Sequence, residues 1–187
     1  MRKEYASLRR RPLLAPVWLT GLAAALVIAA LAWLWLAADT TTILVLRHAE
    51  KAEAPAGDPL LSLEGETHAA ELAALLSGGP AEFRPQGIIV SEFRRTQETV
   101  RPLANRLSIP VLVMPSDEIK ATVERALEEF HGGRVLIVGH SNTVPEIVRR
   151  LSGSAVPPIG EDQYGTLYIV AKPRFGRAAV TRFDLPW

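Results

Sequence analysis

From Leu13 to Ala38 the chain carries no charged residue, so it must satisfy two different solvents. The run reads LLAPVWLTGLAAALVIAALAWLWLAA. Roughly 20 apolar residues cross a bilayer core, so it is long enough to span. A core helix seldom continues this far without a polar position. A cleaved signal peptide has an apolar core of only about 7–15 residues followed by a small-x-small site. Here Leu36 would occupy the −3 position before a cut after Ala38, which offers no good site. The run therefore reads as an anchor. Arg2, Lys3, Arg9, Arg10 and Arg11 precede it against the single acid Glu4, an imbalance that predicts a cytoplasmic N-terminus and an extracytoplasmic remainder. Trp18, Trp33 and Trp35 lie toward its ends, where indole rings favour the membrane interface. The expected organisation is a basic tail over 1–12, a single transmembrane anchor over 13–38 and a globular domain over 39–187.

Without the tail, 16 basic residues face 19 acidic ones, about −3 for the globular part. Such a domain lacks the basic patch that nucleic-acid binding requires. The absence of cysteine excludes disulfides and a lipoprotein anchor. "ADTTT" leaves only a short tether between anchor and domain.

Short apolar runs then alternate with helical patterns. Residues 43–46 (ILVL) read as a buried strand bounded by turn and charge, and 87–90 (GIIV), 111–114 (VLVM) and 134–139 (RVLIVG) as further strands. A helix follows Ser62, with Ala69, Leu72, Ala73 and Leu76 on one face and a stop at Gly78-Gly79-Pro80. Residues 94–107 form a second helix, which Pro102 should kink or interrupt. Residues 117–131 form a third, and Pro145 suits the first turn of a fourth that runs through Leu151. Residues 166–170 and 178–183 read as a closing hairpin that turns at Gly176. The pattern predicts an α/β fold of three αβα layers, with a mostly parallel sheet and an antiparallel edge.

In such sheets ligands bind beyond the carboxyl ends of the strands. Arg47 and His48 follow the first strand, Ser91, Arg94 and Arg95 the second, and His140 the fourth. Two guanidiniums and two imidazoles brought together suit a compact anion, since arginine forks match phosphoryl oxygens. A histidine among cations is disfavoured as imidazolium, which leaves a neutral ring nitrogen free to attack phosphorus. The remaining groups would stabilise charge on the transferring phosphoryl.

Four blocks of this sequence resemble the histidine phosphatase superfamily, the phosphoglycerate mutase-like proteins. LRHAE (46–50) is similar to its R-H-G/A-E signature. DPLLSLEGETHAAELAALL (58–76) resembles its D-x-x-L-[ST]-x-x-G-x-x-x-A segment, and SEFRRTQETV (91–100) its S-x-x-x-R-[TA]-x-x-T segment. VLIVGHSNTVPEIVRRL (135–151) resembles its second-histidine block. The resemblance implies a phosphoglycerate mutase-like fold, His48 as the residue that becomes phosphorylated, and a phosphate pocket completed by Arg47, His140 and a second arginine. The register of the motif makes that arginine Arg95 and leaves Arg94 at the rim. It also implies a leaving-group acid after the third strand, where Glu118 is favoured and Asp117 stands beside it. An alternative is that Ser116 caps the next helix and both acids only complement its dipole. Ser141 follows His140, so the histidine-aspartate pair of the superfamily's acid phosphatases is missing. Glu50, Asn142 and Thr143 are further pocket candidates. His68 reads as a half-buried helix residue, and His131 as a cation at a helix C-terminus.

No H-E-x-x-H, H-x-x-E-H or P-loop motif is present and no G-x-G-x-x-G follows a strand, so neither a metal site nor a nucleotide cofactor is expected. The expected activity is metal-independent hydrolysis of a small phosphorylated substrate at a membrane. A phosphomutase and a non-catalytic phospho-ligand sensor are the alternatives. Only 44 residues separate Arg95 from His140, little room for the insertions that mutases of the superfamily usually carry.

Overall fold

The computed structural model describes residues 17–37 and 39–187. The basic tail and the first residues of the expected anchor lie outside them. The chain divides into two units, one ending at Leu36 and one beginning at Ala37. In the first, helix α1 (Val17–Ala37) is 21 residues long. From 18 to 34 its side chains are exposed on every face, Trp18 and Trp33 included. That stretch alone measures about 25 Å at 1.5 Å per residue, short of a hydrocarbon core of about 30 Å. Among the described residues no helix is long and apolar enough to cross a membrane.

The second unit holds six strands in the order β3-β2-β4-β1-β5-β6. These are β1 (Thr40–Arg47), β2 (Gly87–Ser91), β3 (Val111–Met114), β4 (Arg134–Gly139), β5 (Thr166–Pro173) and β6 (Ala179–Asp184). The first four run parallel, β5 is antiparallel to β1, and β6 is antiparallel to β5. The helices are α2 (Leu63–Gly78), α3 (Arg94–Leu107), α4 (Ile119–Glu129) and α5 (Thr143–Ser152).

The period-two alternation of strand side chains divides the core in two. Ile43, Val45, Ile89, Val135 and Ile137 pack with Val123 and Ala126 of α4 and with Val144, Ile147, Val148 and Leu151 of α5. Leu44, Leu46, Ile88, Val90, Leu136 and Val138 pack with Leu72 and Ala73 of α2 and with Val100 and Leu103 of α3. Both faces of the central strands are thus apolar, which explains why these strands read as unbroken hydrophobic runs. The mixed α/β fold with its central sheet is as expected.

The third strand is an edge of the sheet. Val111 and Val113 face outward at 38% and 52% exposure, while Leu112 and Met114 pack inward. Pro102 does not interrupt α3. It removes one backbone donor, yet fully buried Val100 and Leu103 on either side hold the turn in place. Ser116 does not cap α4, whose N-cap is Glu118 without a side-chain cap. Its N–H and Oγ both bond the Glu92 carboxylate, at 2.7 and 2.9 Å.

Ser62 does cap α2, accepting from the Gly65 N–H at 3.1 Å. Gly65 lies so close to the loop after β1 that a Cβ there would collide with the Glu50 carbonyl oxygen. The glycine of the second sequence block therefore lets α2 close over the residues that follow His48.

Candidate active site

Neighbouring parallel strands place the site. In the β1–β4 ladder Arg47 pairs with Gly139, so His48 and His140, one residue beyond, emerge side by side. The His48 N–H donates to the Gly139 carbonyl at 3.0 Å, and the two rings meet edge to face at 5.4 Å between centroids. β2 flanks β4 on its other side and ends at Ser91. Three strand ends thus converge as the sequence predicts.

His48 is 3% exposed. Its Nδ1 lies 2.7 Å from the Ala49 carbonyl oxygen. A carbonyl can only accept, so Nδ1 carries the proton and Nε2 keeps its lone pair. Burial pushes the His48 pKa down to about 3. The Ala49 bond opposes this, while His140, Arg47 and Arg95 push the same way as burial. The ring is neutral across the physiological range.

His140 has the opposite tautomer. Arg95 Nη2 donates to its Nδ1 at 3.4 Å, so Nε2–H donates to Ser91 Oγ at 2.9 Å. Ser91 Oγ–H then reaches Thr96 Oγ1 at 2.9 Å, and Thr96 donates to the Phe93 carbonyl at 2.8 Å. Each hydroxyl passes one proton along, which accounts for the serine and the threonine of the third sequence block. Burial and then the Arg95 charge lower the His140 pKa to about 4, against the opposing charge of Glu92.

The arginines are held differently. Arg47 is 2% exposed, and its Nη1 donates to the carbonyls of Gly160, Glu161 and Gln163 at 2.7, 2.7 and 2.9 Å. Its guanidinium lies 4.2 Å over the Tyr164 ring. Arg95 lies 4.4 Å over Phe93 and 3.7 Å from the Asp58 carboxylate. Asp58 also accepts the Arg94 N–H at 2.9 Å at the start of α3. The Nε groups of Arg47 and Arg95 are both buried without an acceptor among the described residues. An unpaired buried donor is costly unless a ligand satisfies it. Two beside a neutral imidazole make an anion site.

An open pocket of about 370 Å³ joins these groups. Arg47, His48, Arg95, His140, Asp117, Asn142 and Thr143 line it, as do Lys51, Phe93, Ser116, Ser141 and Glu161. Asp117 is therefore in the pocket wall, whereas Glu118 is the N-cap of α4 and outside that lining. Arg94 is also outside it. Glu50 turns away and accepts from His68 Nδ1 at 2.7 Å. His131 follows Phe130, the C-cap of α4, and lies 3.7 Å from Asp39.

Sequence reasoning missed Glu161 and Tyr164, because the loop between α5 and β5 carries no motif. Glu161 accepts from Ser141 Oγ at 2.8 Å and from Arg47 Nη2 at 3.4 Å. The Ser141 bond, then the Arg47 charge, hold its carboxyl below the usual range, so it is ionised at neutral pH and donates no proton. Asp58 heads the second quoted block and was legible as a motif position, though not as the partner of Arg95.

Residues 43–116 match the family model of the histidine phosphatase superfamily (branch 1). The resemblance read from the sequence is borne out. The match supports phosphatase chemistry for this chain. No curated protein matches the sequence. Among solved structures, the protein histidine phosphatase SixA complexed with tungstate is 20% identical, with a TM-score of 0.63 over 76% of this chain and 96% of that one. The mycobacterial glucosyl-3-phosphoglycerate phosphatase is 15% identical, with a TM-score of 0.60 over 78% and 99%. The alpha-ribazole phosphatase from Shigella flexneri is 16% identical, with a TM-score of 0.55 over 71% and 94%. At these identities the likeness is one of fold.

The two neutral histidines have a consequence for stability. Both histidines titrate near 6.5 when unfolded but near 3 and 4 when folded. Between these values the unfolded chain binds protons that the folded chain refuses, so their contribution is complete above about pH 6.5 and is lost as pH falls. Each histidine accounts for up to about 1.4 kcal/mol per pH unit in that window. Urea denaturation of His48→Asn from pH 7 to pH 4 should show a shallower loss of stability than the wild type. An unchanged slope would contradict the neutral buried ring.

Proposed function

We propose that this chain is a membrane-anchored, metal-independent phosphatase of phosphomonoesters that works through a phosphohistidine on His48. The observation that carries the reading is the pair of buried, unpaired Nε–H groups of Arg47 and Arg95 beside the neutral His48 ring. The Nε2 lone pair forms the N–P bond as the P–O bond to the leaving group breaks. Arg47 and Arg95 stabilise the charge on the transferring oxygens, and His140 holds Arg95 by accepting from its Nη2. Asp117, the acid in the pocket wall, is better placed than Glu118 to give the leaving oxygen its proton. Water then attacks phosphorus and gives a proton to the Asp117 carboxylate, the N–P bond breaks with its electron pair returning to Nε2, and inorganic phosphate leaves. The short chain between Arg95 and His140 and the open pocket favour release to water over the retained intermediate of a mutase.

The compact second unit permits a direct assay. Residues 39–187 should release phosphate from an aromatic phosphomonoester in the presence of a chelator. His48→Ala should lower the rate by about 10³-fold or more, and Arg95→Ala by about 10²–10³-fold. Activity that survives His48→Ala would refute the phosphohistidine route, and phosphate binding without turnover by the wild type would favour a sensor.

Support for the anchor comes from the sequence, an uncharged apolar run from Leu13 to Ala38 that is long enough to span, of which residues 18–34 are exposed. The basic residues before it favour an extracytoplasmic catalytic unit. The full chain should stay with membranes after alkaline extraction, and residues 39–187 should not. A full chain recovered in the soluble fraction would exclude the anchor, and a reporter fused after Trp187 reads the side.

A further inference from the structure

The Ala49 carbonyl sets which nitrogen of His48 is free, so whatever orients that carbonyl acts on the nucleophile. The Ala49 carbonyl and the Glu50 N–H belong to one planar peptide unit. On one side the Ala49 N–H donates to Thr99 Oγ1 at 3.0 Å. On the other side lies Glu50. Its carboxylate is 15% exposed and accepts from His68 Nδ1 at 2.7 Å. Its backbone carbonyl accepts the Ser62 N–H at 2.9 Å, just before α2.

His68 is in turn held by Trp187. The two rings stack with centroids 5.0 Å apart and planes 2° from parallel. Trp187 also packs against Gly165, where a Cβ would lie 3.4 Å from the indole. Gly165 adopts a φ of +74° and its carbonyl accepts the Leu185 N–H at 3.0 Å. The next residue back, Tyr164, lies under the Arg47 guanidinium. One indole therefore braces both walls of the pocket: the peptide after His48 through His68 and Glu50, and the loop that clamps Arg47 through Gly165.

We propose that Glu50, His68 and Trp187 are positioning residues that hold the Ala49 carbonyl as the acceptor for His48 Nδ1–H. They touch neither substrate nor reacting atoms. The proposal rests on the phosphotransfer reading above, in which Nε2 must be the unprotonated nitrogen. Loss of the brace lets the 49–50 peptide turn, and a neutral His48 then samples the tautomer with its proton on Nε2. That tautomer still accompanies a formed phosphate pocket, so binding is retained while chemistry slows.

The test uses the full chain in detergent, with kinetics on an aromatic phosphomonoester and ¹⁵N-histidine NMR. His68→Ala and Trp187→Ala should lower kcat by about 10-fold with KM changed less than about 2-fold, since small misplacements of a reacting group act on the chemical step. Their His48 signals should show a mixture of tautomers where the wild type shows Nδ1–H alone. His68→Asn, whose amide can replace Nδ1–H, and Trp187→Phe, which keeps a stacking ring, should restore most of kcat. Wild-type kcat and a pure Nδ1–H tautomer in both alanine variants would overturn the relay. Equal losses in the alanine and the conservative variants would also overturn it. The tautomer readout decides the relay even without turnover, whereas an inactive wild type would refute the phosphatase reading instead.

Discussion

The bond from His48 Nδ1–H to the Ala49 carbonyl is the interaction on which the site depends. It is short, buried and made within one residue of the nucleophile. Without it the ring has no reason to prefer one nitrogen, and burial beside two arginines would leave a neutral imidazole of undefined tautomer. With it, Nε2 faces the pocket as a lone pair at any pH above about 3. The same surroundings that make the ring neutral make the pocket anion-seeking. Arg47 and Arg95 disfavour an imidazolium and favour a phosphoryl group, so one charge arrangement serves both needs.

The rest of the fold holds that arrangement still. β1 and β4 are central, parallel and adjacent, so their ends deliver the two histidines in register. Thr99 of α3 takes the Ala49 N–H, and Gly65 lets α2 close over Glu50. Arg47 spends one whole nitrogen on three backbone carbonyls of the loop before β5. That leaves its Nε for a ligand and fixes the guanidinium plane at the same time. The pocket is thus assembled from both sheet faces and from the connection that leads into the antiparallel edge.

Much of this was legible because it depends on local order. Apolar runs that end in Arg47-His48, Ser91 and His140 state both the strands and the end of the sheet where polar groups collect. The four sequence blocks then register Arg95 over Arg94, which agrees with the pocket lining. What stayed hidden depends on residues far apart in sequence. Glu161 and Tyr164 reach Arg47 across more than a hundred residues. His68 pairs with Glu50 and stacks on Trp187, and no periodicity of α2 announces either contact. The two neighbouring acids show the same limit. Asp117 and Glu118 are equivalent as composition, and only the start of α4 places one in the pocket wall and the other at the helix cap. Likewise, Val111 and Val113 look like core until the strand order puts β3 at an edge.

Transfer of the phosphoryl group to His48 Nε2 can be caught by rapid quenching of the enzyme during turnover of a ³²P-labelled phosphomonoester, followed by peptide mapping. Label should appear on the peptide that contains His48, stable in alkali and lost in acid, and be absent from His48→Ala. Turnover with the label on a serine, an aspartate or another histidine would contradict it.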